Sequence, residues 1–144
     1  MIMENRLNTL LAAMVVVSHK LQSYHWYLKG AHFFDDHAQL ERYYDEMNEN
    51  ADAVAELMLQ LHMSPASTMK GFLSLSGIEE AAGGEVSSAE AYSHVLADFE
   101  YLLDEVYAVK AAADEENQIL VSNQMDDYIA SLSKHNWMLR QVLK

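Results

Sequence analysis

Four stretches of this chain carry apolar residues at alternating intervals of three and four, and no other feature constrains its fold as strongly. In the first, Leu7, Leu10, Met14, Val17, Leu21, Tyr24 and Leu28 line one face of a helix spanning about residues 4–28. The second, over about residues 35–61, carries Leu40, Tyr43, Met47, Ala51, Val54, Met58 and Leu61 before Ser64-Pro65 ends it. The third is entered through Ser87 and Ser88 as a cap and carries Tyr92, Val95, Phe99, Leu102, Val106, Val109 and Ala113. The fourth carries Val121, Met125, Tyr128, Leu132, His135, Leu139 and Val142. With one proline and five glycines in 144 residues, little interrupts these helices. Four such stripes bury one another as an all-α four-helix bundle.

The connections set the topology. Short joints around Gly30 and around Asp114 make antiparallel hairpins of helices one and two and of helices three and four. Between helices two and three, residues 62–88 contain Pro65, Gly71, Gly77, Gly83, Gly84 and a short helical stretch, TMKGFLSL. Each long helix measures about 40 Å at 1.5 Å per residue, and a connection of this length runs back along it. One long crossover containing a short helix is the ferritin-like arrangement. Residues 1–144 are expected to form a single domain around one core.

Charge and composition exclude several functions. Nine Lys and Arg against 22 Asp and Glu give a net charge of −13, which repels phosphate backbones and anionic membranes and attracts cations. Cysteine is absent, so disulfides, thiolate zinc sites and thiol nucleophiles are ruled out; any metal is held by nitrogen and oxygen. The first residues lack a signal-peptide pattern, and the longest apolar run, 10–17, is too short to cross a bilayer. A soluble cytoplasmic protein is expected.

Candidate metal ligands gather between residues 24 and 57: His25, His37, Glu41, Asp52 and Glu56. On a helical wheel His37, Glu41, Asp52 and Glu56 share an arc of roughly 100°, turned away from the Leu40, Met47 and Val54 stripe. Along the axis, however, His37 and Asp52 are about 22 Å apart and Glu41 and Asp52 about 16 Å. One metal cannot bind both pairs in one copy. The two pairs 37 and 56, and 41 and 52, are symmetric about a point between residues 46 and 47, so an antiparallel second copy sets Glu56 opposite His37 and Asp52 opposite Glu41. His25 joins from the neighbouring helix. Two imidazoles and three carboxylates suit Fe(II), with zinc and manganese as competitors. Taken alone, acids four apart on an outer helix face are ordinarily solvated; the joint pattern is what raises the metal reading. None of the seven histidines follows a Glu by three residues, so the Glu-x-x-His pairs of a bundle-internal di-iron centre are missing.

These residues carry a resemblance. His25-Trp26, Lys29-Gly30, Phe33-Phe34, His37, Asp52 and Glu56 resemble the signature of the Dps mini-ferritins, and SPASTMKGFLSLSGIEE and KHNWML resemble that family's crossover and last helix. The likeness covers nearly the whole chain. It departs at Glu41, where the family commonly has Asp, and at Leu57, where it often has Arg.

The resemblance implies a hollow shell of twelve subunits built from twofold dimers, with a ferroxidase site at each dimer interface. There His25, His37 and Glu41 of one subunit and Asp52 and Glu56 of its partner hold Fe(II), which hydrogen peroxide or dioxygen oxidises before ferric mineral collects inside. It also implies that Trp26 quenches stray oxidising equivalents, and that acids in the region of Asp114, Glu115, Glu116, Asp126 and Asp127 line the ion pores. An alternative is a nucleoid DNA-binding structural protein; the acidic charge and the lack of a Lys/Arg-rich tail make DNA binding an unexpected property here. A receptor-binding helical bundle shares the fold but gives no reason for the ligand pattern.

Overall fold

A computed structural model describes all 144 residues. Its elements run α1 (Met3–Tyr27), β1 (Leu28–Lys29), α2 (Phe33–Gln60), α3 (Met69–Leu75), β2 (Val86–Ser87), α4 (Ser88–Glu115) and α5 (Ile119–Val142). The four long helices lie where the apolar stripes place them, and α3 is the short helix expected inside the crossover.

Local chemistry accounts for the boundaries. Ser87 caps α4 by accepting from the Glu90 N–H at 3.2 Å, with Glu90 in the capping-box position, and Thr68 caps α3 by accepting from Gly71 at 3.1 Å. Asp35 and Asp36 sit in the first turn of α2, where carboxylates complement the helix dipole. Two ends are less obvious from sequence. At the end of α2, His62 takes a left-handed conformation (φ 61°) and the Met63 N–H donates to the Met58 carbonyl at 2.9 Å. At the end of α4, Asn117 does the same (φ 58°) and the Gln118 N–H donates to Ala113 at 2.8 Å. Both follow the pattern in which a left-handed residue lets the chain cap the carbonyls of the last turn. The turn into α5 therefore falls at residues 116–118, just past Asp114.

The stripes meet in one core. Leu10, Met14, Leu40, Met47, Phe99, Leu102, Met125 and Leu132 are each at most 1 % exposed. Antiparallel pairing of α1 with α2 is fixed by Ser18 Oγ, which donates to Asn48 Oδ1 at 2.6 Å, and by Asn8 Nδ2, which donates to the Ser64 carbonyl at 3.1 Å. At the opposite end Asp36 accepts from Tyr92 at 2.9 Å and from Ser88 at 2.5 Å, tying the start of α2 to the start of α4. Burial and that carboxylate push the Tyr92 phenol well above its ordinary range.

The structure adds features to the sequence reading. Leu28–Lys29 pairs in parallel with Val86–Ser87, joining the end of α1 to the entry of α4. Helix α1 is buried over more than one stripe, at Ala12, Ala13 and Val16 as well, because α2, α4 and α3 all pack on it. His135, expected simply to pack, does lie edge-on to Tyr43 at 5.0 Å, yet its Nε2 also bonds Glu46 Oε2 at 2.7 Å. Ser131 donates to the other Glu46 oxygen at 3.0 Å. Desolvation opposes ionisation of Glu46, but the bonds from His135 and Ser131 outweigh it and hold the carboxyl below its ordinary range. No helix is long and apolar enough to cross a membrane.

Candidate metal centre

The last turn of α1 and the second turn of α2 come together just beyond the Gly30 joint, which itself requires a backbone (φ 130°) that only glycine adopts readily. This places His25, 6 % exposed, against His37. Their rings stack at a centroid distance of 3.6 Å with an interplanar angle of 11°.

The hydrogen bonds of the pair are reciprocal. His25 Nδ1 bonds the His37 carbonyl at 2.7 Å, and His37 Nδ1 bonds the His25 carbonyl at 2.8 Å. A carbonyl only accepts, so each Nδ1 must carry the proton and each Nε2 keeps a free lone pair in the neutral ring. That is the arrangement of metal-binding histidines, whose second nitrogen is bonded to a backbone carbonyl or carboxylate to fix ring and tautomer. Phe33 closes the stack on the other side of His37 at 4.8 Å, and Tyr44 stands edge-on to His25 at 5.3 Å.

Glu41 adjoins the pair. Its Oε1 lies 3.8 Å from His25 Nε2 and accepts from the Tyr44 hydroxyl at 3.2 Å. Partial desolvation and this carboxylate raise the Tyr44 phenol above its ordinary range. Sequence reading missed Tyr44, and it had Phe33 only as part of the resemblance, without a role at the site. The signal for both is helical spacing: Tyr44 follows Glu41 by three, and Phe33 precedes His37 by four.

Asp52 and Glu56 stay apart from this group, exposed further along α2 on the side opposite the buried Met47 and Val54. No three His, Asp or Glu side chains of the single chain converge closely enough to hold a metal ion. The chain thus brings together His25, His37 and Glu41 and leaves Asp52 and Glu56 facing outward. Large apolar side chains are exposed at the His25 and His37 end instead: Trp26 is 58 % exposed and Phe34 86 % exposed, while the Trp26 ring rests edge-on against His19 at 5.9 Å. Among the acids near the α4–α5 joint, Asp126 pairs with Lys110 at 2.8 Å and Asp114 accepts from Ser122, whereas Glu115, Glu116 and Asp127 are exposed.

Two hairpins joined by one long crossover, with nitrogen and oxygen donors on helix faces, define a protein of the ferritin-like class. The family model of the ferritin-like domain matches residues 4–144. The DNA protection during starvation protein of Brevibacillus brevis is 37 % identical over 138 residues, covering 96 % of this chain and 92 % of the relative. Among solved structures, antigen TpF1 from Treponema pallidum superposes with a TM-score of 0.97 at 33 % identity, covering 99 % of this chain and 91 % of that one. The Dps protein of Vibrio cholerae O1, described as a member of a broad superfamily of ferritin-like diiron-carboxylate proteins, superposes at 0.95 with 30 % identity, covering 99 % and 89 %. The chain belongs to the ferritin-like family and, within it, to the Dps proteins.

Proposed function

We propose that this chain is an iron-detoxifying mini-ferritin whose ferroxidase sites form between two copies. The observation that carries this reading is the reciprocal bonding of His25 and His37, which leaves both Nε2 lone pairs free, that of His25 3.8 Å from Glu41 Oε1. An antiparallel α2 from a second copy, related by a twofold axis between residues 46 and 47, brings Asp52 and Glu56 to complete each site. The exposed apolar residues Trp26 and Phe34 beside the half-site suit burial against that copy. Twelve copies built from such dimers enclose a cavity for ferric mineral, and the formal charge of −13 favours collection of cations there.

Fe(II) is the substrate. The donor set has no thiolate and mixes imidazole with carboxylate, which suits Fe(II) and lets zinc or manganese compete. Two Fe(II) ions each give up one electron to hydrogen peroxide, the O–O bond breaks, and with two protons both oxygens leave as water. Paired oxidation thereby avoids release of a hydroxyl radical; dioxygen serves as a slower oxidant. The exposed Glu115, Glu116 and Asp127 supply negative charge for ion entry, and Trp26 takes up stray oxidising equivalents. Direct DNA binding forms no part of this reading, because the negative charge opposes it.

The test is anaerobic Fe(II) binding by the assembled protein, followed by peroxide and the rise of Fe(III) absorbance, beside an Asp52→Ala/Glu56→Ala variant. Fast oxidation in the parent and its loss in the variant is expected. Equal, slow oxidation in both would mean that this face is only a polar interface.

A further inference from the structure

We infer that Tyr44 is a positioning residue of the half-site: its hydroxyl holds Glu41 where that carboxylate and His25 can grip the same ion. This deepens the proposed ferroxidase reading and rests on it.

Glu41 needs such a restraint. Its side chain is 55 % exposed, and a free glutamate in water samples several rotamers. Tyr44 lies one turn further along the same face of α2, and its O–H donates to Glu41 Oε1 at 3.2 Å. Tyr44 itself is fixed from two directions. Its ring stands edge-on to His25 at 5.3 Å and 82°, and its carbonyl accepts from Ser18 of α1 at 3.4 Å. The restraint therefore reaches from the rigid hairpin to the carboxylate.

The resulting separation has chemical meaning. His25 Nε2 and Glu41 Oε1 stand 3.8 Å apart, and in the neutral ring the proton is on Nδ1, bonded to the His37 carbonyl. Two donors that bind one ion at about 2.0–2.2 Å each lie about 3–3.5 Å from one another. The pair is thus a few tenths of an ångström wider than chelation requires, and facing. The Tyr44 bond occupies one lone-pair position of Oε1, leaving the carboxylate further acceptor capacity for a metal. Glu41 is also one methylene longer than an Asp would be at this position. A hydroxyl one turn away removes the slack which that extra carbon introduces.

The experiment is an anaerobic Co(II) titration of the assembled, metal-free protein, read by ligand-field absorption, for the parent, Tyr44→Phe, Glu41→Gln, the double variant, and His25→Ala/His37→Ala. Tyr44→Phe keeps the ring and removes only the O–H. It is expected to weaken Co(II) binding about tenfold and to shift the ligand-field bands, as loss of a bond that orients a ligand does. In the Glu41→Gln background the same change is expected to alter affinity less than about twofold, because there is no carboxylate left to orient. Unchanged affinity and bands in Tyr44→Phe overturn the inference, as does an equal loss with and without Glu41, which would assign Tyr44 to packing on His25. The last variant separates the two levels: equal Co(II) binding in the parent and in His25→Ala/His37→Ala overturns the site assignment itself, and Tyr44 with it.

Discussion

Lys20 and Asp98 meet at 2.9 Å inside the seam of α1 and α4, their side chains 8 % and 15 % exposed. Burial pushes the Asp98 carboxyl up despite the nearby ammonium. Lys20→Met leaves that carboxylate buried without a partner and is expected to cost about 3–5 kcal/mol in guanidinium unfolding. Adding Asp98→Leu should recover most of the loss. Equal stability of Lys20→Met and the parent would show that the pair contributes nothing.

The imidazoles of His25 and His37, in the proposed half-site, are expected to act as a unit, because each is oriented by the other's backbone carbonyl. Single His25→Ala and His37→Ala variants are expected to lower Fe(II) affinity by about 10–100-fold each. The double variant should fall well short of the product of the two. Calorimetric titration of the metal-free protein under anaerobic conditions measures all three, and simple multiplication of the two effects would sink the idea.

Glu46 gives the fold an acid-sensitive contact. Its pKa is held below the ordinary value of 4.5, so the folded state binds that proton less readily than the unfolded chain. The stabilisation is present above the ordinary value and is lost as pH falls through the lowered one. Glu46→Gln should therefore be less stable than the parent near neutrality, and the gap should close as pH drops below about 4.5. Thermal midpoints of both proteins across that range test it; a gap that stays constant with pH argues against the assignment.

Gly77 lies so close to Tyr101 that a Cβ there would overlap the phenol oxygen and ring. Gly77→Ala is expected to destabilise by about 1–3 kcal/mol, the usual range for overpacking. In a Tyr101→Ala background, where the obstruction is gone, most of that penalty should vanish. Denaturant midpoints of the four proteins give the comparison.

The long helices were readable because each holds its apolar period for six or seven turns, and Ser87 and Glu90 announce the start of α4 directly. The wheel likewise placed Asp52 and Glu56 outside the core, where they are found. What the sequence hid depends on partners distant along the chain. Nothing local marks Leu28 and Val86 as strand partners, and nothing near Lys20 says that a carboxylate 78 positions later will neutralise it. Asn117 and His62 are both of residue types enriched in the left-handed region, but that preference does not by itself say which Asn or His ends a helix. Around His25 and His37 the candidate residues could be picked out and their bonding could not: reciprocal imidazole-to-carbonyl contacts depend on how two helix ends meet, which spacing alone does not give.

The crossover is fastened at both ends. Near its start, Ser64 donates to Glu4 at 2.9 Å and Ala66 to Asn8 at 2.8 Å; near its finish, β2 is paired to β1. Between these fastenings α3 lies along α1. This connection works as a strap across the back of α1, and it must peel away before water reaches that helix. The amides of α1 should then be among the last to exchange with deuterium, released only by opening of the whole bundle. His25 should then sit on a slowly opening helix, and the proposed half-site would owe its persistence to a segment that makes no hydrogen bond to His25, His37 or Glu41.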